Sequence, residues 1–174
     1  MESGALYIVQ LEEALKEEKR YSFLLGKDFF TTIGNEQYPD GKVGVEVVVK
    51  HEGSVFDINF LYSGTIVLIC DRCLDTFDFP VSSKSTLKVR LGESYRELED
   101  NLWEVEREKG EVNVMWRMFE DIILSLPIQH IHKEGECNEK MENILKEHSP
   151  EQEVQKGEDE IDPRWEKLKE LLNQ

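Results

Sequence analysis

Between Lys42 and Leu91 the chain is a succession of short β-branched and apolar runs broken by polar residues, with one stretch of strict alternation. In S-V-F-D-I-N-F-L-Y, Phe56, Ile58, Phe60 and Tyr62 fall on one face, and Val55, Asp57, Asn59 and Leu61 on the other. That is the period of a half-buried strand. The β-branched run V-G-V-E-V-V-V-K-H precedes it across a turn at Glu52 and Gly53. Ser63 and Gly64 read as the next tight turn, before a third strand T-I-V-L-I-C. T-F-D-F-P-V and S-T-L-K-V-R-L follow as two further strands. Consecutive strands at short spacing predict an antiparallel sheet, or the same meander curled into a partly closed barrel.

The flanks are more mixed. A-L-Y-I-V-Q-L (5–11) and R-Y-S-F-L-L-G (20–26) read as strands, and K-D-F-F-T-T-I as a helical turn before the loop G-N-E-Q-Y-P-D-G. Between the two strands, E-E-A-L-K-E-E-K has helix formers without an amphipathic pattern and is assigned to neither class. Residues 92–110 are charged and read as loop, apart from a short strand at L-W-E-V. Asn113 suits a helix N-cap, and Met115, Met118, Phe119, Ile122 and Ile123 then recur at helical spacing up to Pro127. The expected fold class is α+β: a single β-rich domain over residues 1–137 with one packed helix near 114–125.

From Glu134 onward there are 13 acidic and 6 basic residues, and H-S-P-E-Q-E-V-Q-K-G-E-D-E offers almost nothing to bury. Residues 138–161 therefore read as an acidic linker. A short amphipathic helix is expected over 162–174, with Asp162 as N-cap, Pro163 in the first helical position, and Trp165, Leu168 and Leu172 on one face. So short a helix is marginal alone and needs a surface, in its own chain or in a partner.

Charge narrows the function. With 37 acidic against 21 basic residues the net charge is −16. Such a surface repels phosphate on average and suits a basic protein partner better than a nucleic acid. Direct RNA contact needs a local basic patch; Lys84, Lys88 and Arg90, at even positions of one strand, are the candidates. No apolar run approaches membrane-spanning length, the first residues lack a signal peptide's pattern, and three cysteines make no disulfide framework. A cytoplasmic protein with reduced thiols is expected. No nucleophile–base pair and no glycine-rich phosphate loop stands out, so a non-enzymatic role is expected.

I-C-D-R-C-L-D-T-F carries Cys70 and Cys73 between two strands. A Cys-x-x-Cys on such a turn is the usual half of a zinc knuckle. H-I-H-K-E-G-E-C supplies His132 and Cys137 for the other half, with His130 as an alternative ligand. Two readings stand beside zinc. A redox couple wants the pair at the start of a helix, which the pattern lacks. In the other, Cys70 is an ordinary buried strand cysteine sharing a face with Ile66 and Leu68. A hydrolytic metal site would want carboxylates beside an open position, which a thiolate-rich set does not offer. His51 and His148 read as solvated.

C-D-R-C-L, then E-D-I-I-L-S-L-P-I-Q-H-I-H-K-E-G-E-C, then D-P-R-W-E-K-L-K-E-L resemble, in this order, the signature blocks of the bacterial YceD proteins over roughly residues 40–174. That resemblance implies a role in accumulation of large-subunit ribosomal RNA and in assembly of the large subunit, without catalysis. It implies that Cys70 and Cys73 match the family's first pair, and that His132 and Cys137 fall at its second. The further Cys-Pro-x-Cys of many members is missing here. It also implies that Asp162, Pro163, Arg164 and Trp165 match the family's terminal block; with Leu168 on the apolar face of the expected helix, they are the candidate partner-binding residues. The partner is then a large-subunit precursor or one of its basic proteins.

Overall fold

A computed structural model describes residues 7–34, 38 and 40–149. Among them the α+β class and the mostly antiparallel sheet are as expected, and the sheet stays open, with no closed barrel. Eight strands are present: β1 (Ile8–Gln10), β2 (Lys19–Leu25), β3 (Gly41–Glu52), β4 (Val55–Ile69), β5 (Thr76–Gly92), β6 (Arg96–Glu99), β7 (Leu102–Glu106) and β8 (Glu111–Asn113). Three helices accompany them: α1 (Lys27–Ile33), α2 (Met115–Leu124) and α3 (Glu139–His148). The main sheet has the order β2-β3-β4-β5-β7-β6, and β1 pairs with β8 in a separate ribbon.

The alternation seen in sequence is the burial pattern. Phe56, Ile58, Phe60 and Tyr62 are each at most 2 % exposed, beside Val43, Val45, Val47 and Val49 of β3. Each large apolar side chain so buried contributes about 1.5–3 kcal/mol. Met118, Phe119 and Ile122 of α2 close over this face, as do Phe29 and Phe30 of α1. The N-cap of α2 is Val114, one residue later than expected, and Asn113 supports the start of the helix from just before it, its Oδ1 accepting the Met115 N–H at 2.9 Å.

Four readings are corrected. Ser63 and Gly64 are not a turn but the middle of the 15-residue β4. Even-numbered residues stay inward on both sides of them, so the core phase never breaks. Gly64 pairs with Val43 on one side and Val81 on the other at φ 156°. A Cβ there would stand 2.1 Å from the Lys42 carbonyl oxygen, so glycine marks a close backbone approach. Likewise Pro80 does not split β5. It lies where β5 has β4 on one side only, since β7 pairs with Lys88–Gly92 alone, and an edge tolerates proline. The meander ends at β5: β7 lies parallel to it and β6 folds back outside β7, so 92–110 holds two strands where one was expected. Finally, the stretch from residue 138 opens with α3, capped by Asn138, whose Oδ1 accepts the Lys140 N–H at 3.1 Å. The residues between β1 and β2, unassigned from sequence, hold a 3₁₀ turn at Glu12–Leu15.

Candidate metal centre

The hairpin between β4 and β5 is the longest pairing in the sheet, and its tip is the loop 70–75. Two bonds close the tip: the Cys70 N–H donates to the Asp75 carbonyl at 2.9 Å, and the Leu74 N–H to the Cys70 carbonyl at 2.9 Å. Leu74 takes a positive φ of 63°, which reverses the chain into β5. The segment after α2 is then locked to this tip through Asp71. Its N–H donates to the His130 carbonyl at 2.6 Å, and its Oδ2 accepts the His130 N–H at 2.7 Å. On the far side Asn138 Nδ2 donates to Asp75 Oδ2 at 3.1 Å.

Held at both ends, residues 130–138 bring His132 and Cys137 onto the Cys-x-x-Cys. One donor atom from each of Cys70, Cys73, His132 and Cys137 lies within 4.8 Å of all the others. Cys70 Sγ is 3.9 Å from Cys137 Sγ, and His132 Nδ1 is 3.3 Å from Cys73 Sγ and 3.8 Å from Cys137 Sγ. A tetrahedral zinc with Zn–S of about 2.3 Å and Zn–N of about 2.0 Å has ligand atoms about 3.5–3.8 Å apart. The donor set and its spacing are compatible with that ion. All three thiols are free and buried.

The electrostatics suit a cation as well. Burial pushes the Cys70 thiol up, but the backbone N–H groups of Cys73, His132 and Arg72, with the His132 side chain, outweigh it and hold it down to about 6. Such N–H groups from the knuckle backbone stabilise a thiolate, the form that binds metal. Cys137 is pushed up to about 11, by burial first and then by Cys70 and Cys73 beside it. Three thiols without a positive charge among them cannot all ionise cheaply. The His132 ring packs on Phe77 with centroids 4.7 Å apart, and Met141 of α3 covers the cysteines.

The other residues singled out in sequence lie elsewhere. His130 is buried and faces Tyr38 at 6.2 Å between ring centroids, outside the donor set. His51 lies against the Phe56 ring, and His148 sits in the last turn of α3. Lys84, Lys88 and Arg90 do share the exposed face of β5. Lys88 reaches Asp57 at 3.8 Å and Arg90 bonds Glu104 at 2.7 Å, so two of the three cations already face carboxylates. Asp162, Pro163, Arg164, Trp165 and Leu168 lie outside the described residues, as does the whole expected helix 162–174.

Sequence reasoning missed the polar cluster at Asp121. Its Oδ2 accepts the Tyr62 hydroxyl at 2.6 Å and the Ser85 hydroxyl at 2.5 Å, while Oδ1 faces Arg117 Nε at 3.0 Å. The signal was present: an acid three residues after Met118, on the buried stripe of α2, demands partners. Asp71 and Asp75 were equally silent, because their partners come from a segment some sixty positions away.

Fold and site together define an α+β protein whose main, mostly antiparallel sheet carries a metal-compatible Cys3His cluster at the end of its longest hairpin. The chain belongs to the YceD family, described as large ribosomal RNA subunit accumulation protein YceD, whose sequence model matches residues 58–172. The match opens inside β4, so β1 to β3 precede it. Comparison with curated proteins and with solved structures found no match.

Proposed function

We propose that this chain supports the accumulation of large-subunit ribosomal RNA as a non-catalytic factor in assembly of the large subunit, its fold stapled by a structural zinc ion. The family match carries the reading. Cys70, Cys73, His132 and Cys137 would hold the ion. Four protein donors complete a tetrahedron and leave no position for a substrate, so the ion would supply cross-linking and not Lewis-acid chemistry. The test is a strain lacking the protein, complemented with wild type or with Cys73→Ser. The wild type should restore the ratio of large- to small-subunit RNA and co-sediment with large-subunit precursors at low and moderate salt. A normal ratio in the deletion strain would overturn the role.

One observation favours a particular route. The net charge of −16 sits badly with direct RNA binding, and Lys88 and Arg90 of the candidate RNA face are paired with carboxylates. The chain acts instead on a basic protein component of the subunit, as an acidic partner that holds it for assembly. Asp162, Pro163, Arg164, Trp165 and Leu168 are further contact residues for such a partner. Salt-sensitive capture of basic ribosomal proteins by the purified chain is the expected outcome; capture of RNA alone would reverse the assignment.

A further inference from the structure

The largest concentration of acid among the described residues lies far along the chain from the thiols. Between residues 93 and 111 there are eight carboxylates and three basic residues. Acid alone names no site, but here it borders a groove. Ile8, Tyr95, Val105 and Val112 give apolar lining to a cleft of about 400 Å³, which Glu106, Glu111, Asn113 and the cation Lys109, paired with Glu106, line as well. We propose that this cleft receives an arginine side chain from an extended basic segment of a partner protein. The proposal deepens the acidic-partner reading above and rests on it.

The local fold explains the convergence. After β7 the chain reverses tightly, with the Glu106 carbonyl accepting the N–H groups of Lys109 and Gly110 at 3.2 and 3.1 Å. The Leu11 N–H then donates to the Gly110 carbonyl at 2.8 Å, which anchors the reversal beside the β1–β8 ribbon. Glu106 and Glu111 are thereby carried back to one opening. Tyr95 is half exposed, and its ring is held edge-on to Trp103 with centroids 5.8 Å apart. Its hydroxyl also donates to Glu97 Oε1 at 2.8 Å, but the Trp103 contact is what sets the ring as a wall.

An apolar-walled slot with a fixed aromatic ring and two carboxylates matches one side chain best. The arginine stem lies along apolar surface, its planar guanidinium stacks on an aromatic face, and its fork pairs with carboxylates. Lysine offers only a point charge, and a phosphate would be repelled. The carboxylates are accessible. Glu106 holds Lys109 in an exposed pair, which contributes little and yields to a better-placed cation. Glu111 uses Oε2 for Gln10 at 2.9 Å, leaving Oε1. Beside the cleft, β6 is an edge strand exposed along its whole length, where an extended segment can lie.

The experiment uses the full chain and a short fluorescein-labelled peptide alternating arginine with serine, followed by anisotropy and by amide NMR shifts. Neutralising the mouth with E106Q plus E111Q should weaken binding about tenfold or more. The same charge change on the open sheet face, E46Q plus D78N, should weaken it about twofold at most. Y95F should bind as wild type and Y95A should not, and a lysine–serine peptide should bind more weakly. Equal weakening by the two double variants would mean diffuse charge attraction and overturn the site. So would shifts confined to other surfaces, or an RNA oligonucleotide moving the same cleft amides. The peptide assay reads the cleft alone and gradient association reads the role. A cleft that fails while association persists removes only this inference.

Discussion

Asp121 shows how one side chain fixes the placement of a helix. It is 8 % exposed and paired with Arg117, itself 11 % exposed, while it accepts hydroxyls from β4 and β5. Arg117 in turn donates to the Asp100 carbonyl and to Asn101 Oδ1, both at 2.9 Å, so the cluster ties α2 to the β6–β7 hairpin as well as the sheet. Removing one partner of such a buried pair leaves the other charge stranded. Asp121→Ala is expected to cost about 3 kcal/mol, and Tyr62→Phe, which deletes one hydrogen bond, about 1 kcal/mol. Urea denaturation of both variants checks the ranking; equal, small losses would show that the cluster is incidental. Glu104 adds a pH dependence. Hydrogen bonds from Arg96 and then Arg90 hold its carboxyl below the usual carboxylate range, against the effect of burial. A depressed pKa gives stability that is complete above the unfolded value, about 4.3, and lost as pH falls through the folded one. Glu104→Gln is therefore expected to be less stable at neutral pH yet to lose less stability on acidification. Melting temperatures across the acid range measure it, and an unchanged acid slope would contradict it.

Among the elements, β4 carries the fold, and Gly64 is its narrowest point. A side chain at 64 must displace the Lys42 carbonyl, whose oxygen would stand 2.1 Å from the new Cβ, in the middle of the β3–β4 pairing. Gly64→Val is expected to cost about 3 kcal/mol or more, whereas Gly53→Asn, in an open turn, should change little. Thermal unfolding of the two separates a strand glycine from a turn glycine. The same residue marks the limit of what the sequence makes legible. Alternation made Phe56 to Tyr62 a strand at sight, because period two is local. Ser-Gly looks alike in a turn and in a strand, and only its neighbours Val43 and Val81 decide between them. The parallel β5–β7 pair escaped for a related reason: nothing in L-W-E-V records which strand it will lie beside. At the Cys3His cluster the Cys-x-x-Cys was legible as a candidate pair, and the structure brings His132 and Cys137, the expected other half, within 4.8 Å of it. The Asp71–His130 and Asp75–Asn138 links that close it were not legible, as ordinary polar residues acquire meaning only once two loops meet.

At the scale of the whole molecule, α3 and the segment before it hang from the donor cluster. No residue of α3 is buried. Among the described residues its attachments include Met141 on the cysteines, the Asn138–Asp75 bond and a long Arg72–Glu142 contact at 3.9 Å. The main sheet, by contrast, rests on an apolar core that includes none of the four donors, although Phe77 packs against both that core and the cysteines. Two cooperative units of unequal stability follow from this division. If zinc is the staple, its removal should release the smaller unit and spare the larger, since metal binding is coupled to local folding. The protein is expected to carry one equivalent of zinc by elemental analysis. After chelation, hydrogen exchange should rise in 70–75 and 130–148, while β3 and the centre of β4 keep their protection. Cys137→Ser should reproduce the pattern without chelator. Exchange that rises evenly over the whole chain would make the cluster part of the main core. Exchange that does not change would mean that Met141, Asp71 and Asp75 hold the segment unaided, and that the thiols are buried side chains and no more.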